Sequence, residues 1–509
     1  MTMNVSGKPL ATGKASSPTA TPHRRCSTGV PGLDDVLGGG LTRDRLYLVE
    51  GTPGAGKTTI ALQFLMDGAR NGESCMYVTL SETALEIDGV ADSHGWDLSG
   101  VSIREMLPTQ DSLLPDEQYT MFHPSEVELS ETTLRILKDV EELRPSRVVF
   151  DSLSELRLLS GSSLRYRRQI LALKQFFAGQ QCTVIMLDDM TATEQDVQVQ
   201  SISHAVLRLE QLHADYGASR RRMVVVKYRG QEFRGGYHDY KIARGGLQVF
   251  PRLVAADHTA TAPQVLINSG IETLDRLLGG GIEQGTSTLL VGAPGTGKST
   301  LAVQFAISAA RRNEHAALFI FDESVNTLCT RCASLGMDIR PYLASGHIKI
   351  KRVDPAEMSP GELVHGIRLA VTHDKASVVV VDSLNGYLNA MPDERFLIVQ
   401  LHELLTYLGQ AGVATLLIGA QHGLIGTQMQ TPVDASYLAD AVVMLRYFEA
   451  DGEVHQAISV LKKRAGVHER SIRSFSMDGD GLHVGATLHQ FRGILTGVPI
   501  PLGGAQAHS

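Results

Sequence analysis

Short runs of apolar, mostly β-branched residues alternate along this chain with longer segments whose apolar positions recur every three or four residues. "LYLVE", "CMYVTL", "RVVFDS" and "CTVIMLD" are the short runs of the first half; "STLLVG", "ALFIFD", "SVVVVDS" and "ATLLIGA" are those of the second. A continuous apolar run, rather than an alternating one, predicts a strand covered on both faces, as in a parallel sheet between helices. "RYRRQILALKQFFAGQ" and "ERFLIVQLHELLTYLGQAG" predict crossover helices, each ending near a glycine. The alternation predicts an α/β fold: two tandem domains, each a mostly parallel β-sheet flanked by helices.

The halves are copies. "GVPGLDDVLGGGL" from Gly29 matches "GIETLDRLLGGGI" from Gly270, an offset of 241 residues that Lys57 and Lys298, and Glu82 and Glu323, preserve. "RVVFDSLSEL" matches "SVVVVDSLNGY", with Asp151 and Asp382 now 231 apart. Order and spacing kept over such a distance mark a tandem duplication. The expected organisation is a disordered leader over 1–25, rich in Ser, Thr, Pro, Gly and Ala, then a first domain over 26–250. A linker over 251–261, a second domain over 262–498 and a short flexible tail over 499–509 follow.

Composition narrows the class. Of 509 residues, 43% are hydrophobic and 20% charged, as in an ordinary globular protein. The formal net charge of -8 argues against a nucleic-acid coat. No apolar run reaches the roughly 18 residues that would cross a bilayer. The N-terminal stretch lacks a signal peptide's apolar region, so the expected location is cytoplasmic, with no membrane partner. Five scattered cysteines fit a reducing compartment. Cys329 and Cys332 form a lone C-x-x-C, read as a partly buried helix face, with metal or redox work as the alternative. The 18 histidines show no metal-ligand spacing.

Each copy carries G-x-x-x-x-G-K-[ST] after a strand and before a helix. The loops are Gly51, Thr52, Pro53, Gly54, Ala55, Gly56, Lys57, Thr58 and Thr59, and Gly292, Ala293, Pro294, Gly295, Thr296, Gly297, Lys298, Ser299 and Thr300. Glycines let backbone N–H groups turn inward around phosphates, and the helix N-terminus adds positive potential. The pattern implies ATP and Mg²⁺: Lys57 and Lys298 reach the β- and γ-phosphates, and Thr58 and Ser299 offer hydroxyls to the metal. Asp151 and Asp382 end apolar strands, where the magnesium-side carboxylate belongs; the competing role is capping the next helix. Glu82 in the first copy, and Asp322 with Glu323 in the second, are candidates for polarising the attacking water, again against capping. Paired acids can raise one another's pKa, so the two sites are not chemically equal. Near the end of each copy, "VVVKYRG" supplies Lys227 and Arg229, and "SVLKKRAG" supplies Lys462, Lys463 and Arg464. These are arginine-finger candidates for a neighbouring subunit's nucleotide, or else a solvated charged hairpin.

With these residues in place, the chain resembles the KaiC family, the double-domain branch of the RecA-like P-loop ATPases. The resemblance rests on "STGVPGLDDVLGGG", "GTPGAGKTT", "SETALEIDGVADSHGWDL" and "FDSLSELRLL". In the second half it rests on "GAPGTGKST", "FDES", "CASLGMDI", "VDSLNGY", "SYLADAVVMLRYFEADGEVHQAISVLKKRAGVHE" and "FRGILTGVPI". It implies two tandem RecA-like domains, a homo-oligomer of six subunits in stacked rings, and ATP at the subunit interfaces. It also implies an ATPase first domain, Ser/Thr autophosphorylation in the second, and a KaiB-like or histidine-kinase signalling partner. The family has two adjacent Glu residues after the second strand of each domain; here they are Ser81-Glu82 and Asp322-Glu323. Its phosphorylated pair aligns with Ser436 and Tyr437, so Ser436 is the expected acceptor, with Thr431 as the fallback and a helix-cap role as the alternative.

Three functions compete: an ATP-driven signalling ring with autokinase ability, a RecA-like DNA repair or recombination motor, and a nucleotide-sensing scaffold with little turnover. The acidic balance and the lack of a Cys₄ cluster count against the second, and no nucleic-acid partner is expected. Ser81 lends weight to the third.

Overall fold

The computed structural model describes residues 24–106, 124–190, 198–213, 217–257, 265–389, 394–420, 437–496 and 499–501. These cluster as two compact units and contain two nine-stranded sheets. The first sheet contains β1 (Leu46–Gly51), β2 (Cys75–Thr79), β3 (Val101–Glu105), β4 (Arg147–Asp151), β5 (Thr183–Asp188), β6 (Ala205–Leu212), β7 (Arg220–Tyr228), β8 (Tyr237–Ala243) and β9 (Gly246–Phe250). Their spatial order is β9-β8-β7-β6-β1-β5-β4-β2-β3. From β6 across to β3 every pair is parallel.

The second sheet contains β10 (Ser287–Gly292), β11 (His315–Ile320), β12 (Ile348–Arg352), β13 (Ala376–Asp382), β14 (Ala414–Ala420), β15 (Ala441–Ala450), β16 (Glu453–Lys463), β17 (Arg473–Asp478) and β18 (Gly481–Thr487). Its order, β18-β17-β16-β15-β10-β14-β13-β11-β12, repeats the first strand for strand. It is parallel from β15 to β12 and antiparallel beyond. The duplication read from the sequence is therefore a duplication of topology.

Burial explains why the apolar runs are continuous. Along β10, β13 and β14, Leu290, Val380 and Leu416 pack on one face with Leu301 and Phe305 of the helix Lys298–Arg311. Their neighbours Leu289, Val379 and Leu417 pack on the other face with Leu401, Leu404 and Leu408 of the helix Glu394–Gln410. Side chains alternate faces, and both faces are covered, so every position must be apolar. Each fully buried Leu or Val contributes about 1.5–3 kcal/mol relative to exposure. The C-x-x-C lies in the helix Val325–Ser334, and both thiols are free and buried in the core, as its helical spacing predicted. No helix among the described residues is long and apolar enough to cross a membrane.

Candidate nucleotide sites

In the first copy the loop leaves the C-terminal end of β1 and turns into the helix Lys57–Arg70. Gly56 makes that turn with φ 95°, a left-handed backbone that favours glycine, and a Cβ there would press on the Ile242 Cδ1 methyl at 2.6 Å. The new helix presents unpaired N–H groups and the positive end of its dipole to the loop. Lys57 Nζ, almost fully buried, donates to the carbonyls of Gly51 (2.9 Å) and Thr52 (3.1 Å). It also forms an ion pair with Asp189 at 2.8 Å.

Thr58 Oγ1 donates to Asp151 Oδ2 at 3.3 Å, and the Tyr77 hydroxyl donates to the same oxygen. Burial pushes the Asp151 carboxyl up, and the Tyr77 hydrogen bond opposes that shift. A hydroxyl beside a buried carboxylate is a hard oxygen donor set of the kind Mg²⁺ takes, and a cation there would offset the cost of burying the charge. Asp151 does not cap the following helix Leu153–Ser160, whose N-cap residue is Ser152.

Glu82 lies close enough to this cluster to share its field. Burial first, and then the charges of Asp151, Glu86 and Asp189, push its carboxyl above the ordinary range. Its Oε2 is buried and has no hydrogen-bond partner among the described residues. The capping alternative fails here as well. Thr83 caps the helix Ala84–His94 in a reciprocal capping box with Glu86.

The second copy repeats the loop and diverges around it. Lys298 Nζ donates to the carbonyls of Gly292 (2.9 Å) and Ala293 (2.7 Å). Burial lowers its pKa to about 8, with Asp382 pulling the other way. Among the described residues no carboxylate forms an ion pair with it. Ser299 hydrogen-bonds Asp382, whose carboxyl is again pushed up by burial. The acid pair is divided. Glu323 is clamped by Arg331, whose Nε and Nη2 donate to its two oxygens at 3.1 and 2.9 Å. Arg331 Nη1 also donates to Thr300 Oγ1 at 2.6 Å. Asp322, exposed, accepts from Ser383 Oγ at 2.9 Å, and Ser324 caps the next helix.

Arg331, Tyr77 and Asp189 did not stand out in the sequence. Comparison of the copies holds a signal for all three, with Leu318 in the second copy at the place of Tyr77. Val90 occupies the place of Arg331 in the first copy, at the same offset of 241. Ala420 occupies the place of Asp189 in the second. Ser436 and Thr431 lie outside the described residues.

The basic candidates stand at the wrong end of their own sheets to meet these loops. In the second copy Thr288 pairs with Ala441, and Val442 with Lys462, whereas the loop leaves from Gly292, which pairs with Leu445. Four strand residues separate the two ends, about 13 Å. Arg464 donates to the Tyr437 carbonyl (2.6 Å) and to Asp440 (3.3 Å). In the first copy Arg229 N donates to the His204 carbonyl (3.0 Å), and His204 N to that of Leu46 (2.7 Å), at the start of β1. Burial, then Arg229 and Lys174, lower the pKa of Lys227. Lys463 is buried instead, donating to the carbonyls of Leu278 (2.7 Å) and Gly281 (3.4 Å), 3.7 Å from Glu283.

Each copy thus places its phosphate loop and its basic candidates at opposite ends of its own sheet. Comparison with known proteins shows the family. The profile described as "ATPase: KaiC" matches residues 26–254 and 267–489. The circadian clock protein KaiC3 of Synechocystis sp. is 27% identical over 483 residues, covering 94% of each chain. The circadian clock oscillator protein KaiC of Parasynechococcus marenigrum is 29% identical over 492 residues, covering 95% of each. That of Thermostichus vulcanus is 28% identical over 494 residues, covering 95% of this chain and 94% of its own. The chain belongs to the KaiC ATPase family.

Proposed function

We propose that this protein is a ring-forming, hexameric Mg·ATPase with Ser autokinase ability in the second unit. Lys57 and Lys298 hold the β- and γ-phosphates; Thr58 with Asp151, and Ser299 with Asp382, would hold Mg²⁺, which would supply charge neutralisation for the phosphates. A carboxylate orients the attacking water: Glu82 in the first seat, Asp322 or Glu323 in the second. The water oxygen bonds to the γ-phosphorus, the bond to the β-bridging oxygen breaks, ADP leaves, and the water's proton passes to the carboxylate or solvent. In the autokinase reaction the Ser436 hydroxyl takes the place of water. Lys227 and Arg229, and Lys462 and Arg464, complete the seats of the adjoining copy. The protein acts in the cytoplasm as a signalling component, with a KaiB-like or histidine-kinase partner.

The observation that carries this reading is the opposition of phosphate loop and basic residues at the two ends of each sheet. The test measures phosphate release and label incorporation from γ-labelled ATP. Lys57→Ala and Lys298→Ala should each lower release, and the double variant should abolish it. Label should map to Ser436 and vanish with Ser436→Ala or Lys298→Ala. A protein that stays a single-chain particle in saturating Mg·ATP overturns the shared-seat reading.

A further inference from the structure

The two seats differ most directly at the strand beside each loop. Glu50 pairs with Asp188 across β1 and β5, so Asp189 stands just beyond, beside Gly51. Gly292 pairs with Ala420 across β10 and β14, so the second copy has a methyl group at that place. The Asp189 carboxylate lies 2.8 Å from Lys57 Nζ, and its other oxygen accepts from Ser154 Oγ at 3.3 Å. The preceding Asp188 is already engaged by Arg157 at 2.6 Å, so Asp189 is not needed for that pair. Lys57 is 7% exposed and Asp189 31%, so the ammonium is shielded while the carboxylate keeps contact with water and the pair is partly screened.

A phosphate-loop lysine serves by placing its ammonium on phosphate oxygens. An anion already on that ammonium must give way before a phosphate can take the position, or must remain beside a phosphate of like charge. Either course costs binding free energy that the second seat does not lose. We propose that Asp189 is a built-in competitor for nucleotide phosphate: it holds Lys57 in the empty first seat and makes that seat the weaker of the two for ATP. This deepens the proposed function and rests on its reading that the first seat takes ATP. The asymmetry lets the first seat respond to changes in nucleotide concentration at which the second stays filled.

The test uses the full chain with one seat disabled and a fluorescent N-methylanthraniloyl ATP with Mg²⁺ as the probe. In a Lys298→Ala background, Asp189→Asn, which keeps the shape and removes the charge, should tighten binding about tenfold, the effect of one partly screened charge at this distance. Asp189→Ala should do the same. In a Lys57→Ala background, Ala420→Asp should weaken binding to the second seat by a similar factor. Unchanged or weaker binding in both Asp189 variants, with the Lys298→Ala chain still binding the probe, overturns the proposal and leaves the first-seat reading standing. Absence of binding in the Lys298→Ala chain with or without Asp189→Asn overturns that reading, and the proposal with it.

Discussion

Arg147 begins β4 and is 1% exposed, a rare position for a guanidinium. It is kept there by a complete set of partners. Nε donates to Glu73 at 2.5 Å, Nη1 to the carbonyls of Ser27 (2.9 Å) and Phe64 (2.7 Å), and Nη2 lies 3.1 Å from Asp67. The Phe64 ring covers its face at 4.7 Å. Removing one partner leaves a buried charge short of compensation, so Glu73→Ala should cost about 3 kcal/mol in a denaturant melt. Burial alone would raise the Glu73 carboxyl, but hydrogen bonds from Arg43 and Arg147 outweigh it and hold the pKa below the usual range. A depressed carboxylate stabilises the fold above its unfolded pKa, near 4.3, and that stability is lost as pH falls through the folded value. Melts of wild type and Glu73→Gln from pH 7 to pH 3 should therefore converge at the acid end; a gap that stays constant refutes the linkage. None of this network was legible in the sequence, because its members lie on different elements and no spacing connects them. Lys57, Thr58 and Asp151 were legible because the phosphate loop fixes them within a local motif or at a strand end.

At the scale of elements, the helix Ala84–His94 separates two roles that its sequence left entangled. Glu82 and Thr83 are adjacent polar residues before an amphipathic run, and either one fits a cap. The structure gives the cap to Thr83, in a reciprocal bond with Glu86, and leaves the Glu82 carboxylate turned to the acid cluster. Thr83→Ala should cost about 1 kcal/mol of stability with hydrolysis per folded molecule preserved. Glu82→Gln should do the reverse, lowering phosphate release while the melting temperature holds or rises, since a carboxylate pushed up by burial is a burden once ionised. The end of β16 separates its neighbours in the same way. Lys463→Ala should destabilise, whereas Lys462→Ala and Arg464→Ala should spare the fold and lower turnover. Strands and crossover helices were readable because a two-sided burial requirement writes itself into every residue of a run. The sharing of tasks between adjacent polar residues was not, because it depends on which way each side chain turns.

At the scale of the whole molecule, the duplicated sheet order means that the same division of parts is present twice in one chain. If seats are completed between copies, activity must survive the loss of different parts on different molecules. A Lys57→Ala, Lys298→Ala chain has no working loop, and an Arg229→Ala, Arg464→Ala chain lacks its arginines. Mixed at equal amounts, they should release phosphate faster than either alone, and strictly additive rates would refute the sharing. The far-end placement of the basic residues then carries a rule about counting. Under the proposed sharing, one terminal member of any open string of protomers would face solvent where a donor should stand, so each of the two duplicated seats would have one idle member however long the string grows. On the proposed sharing, joining head to tail would remove that idle member, and turnover per molecule would reach its ceiling only once the circle is shut.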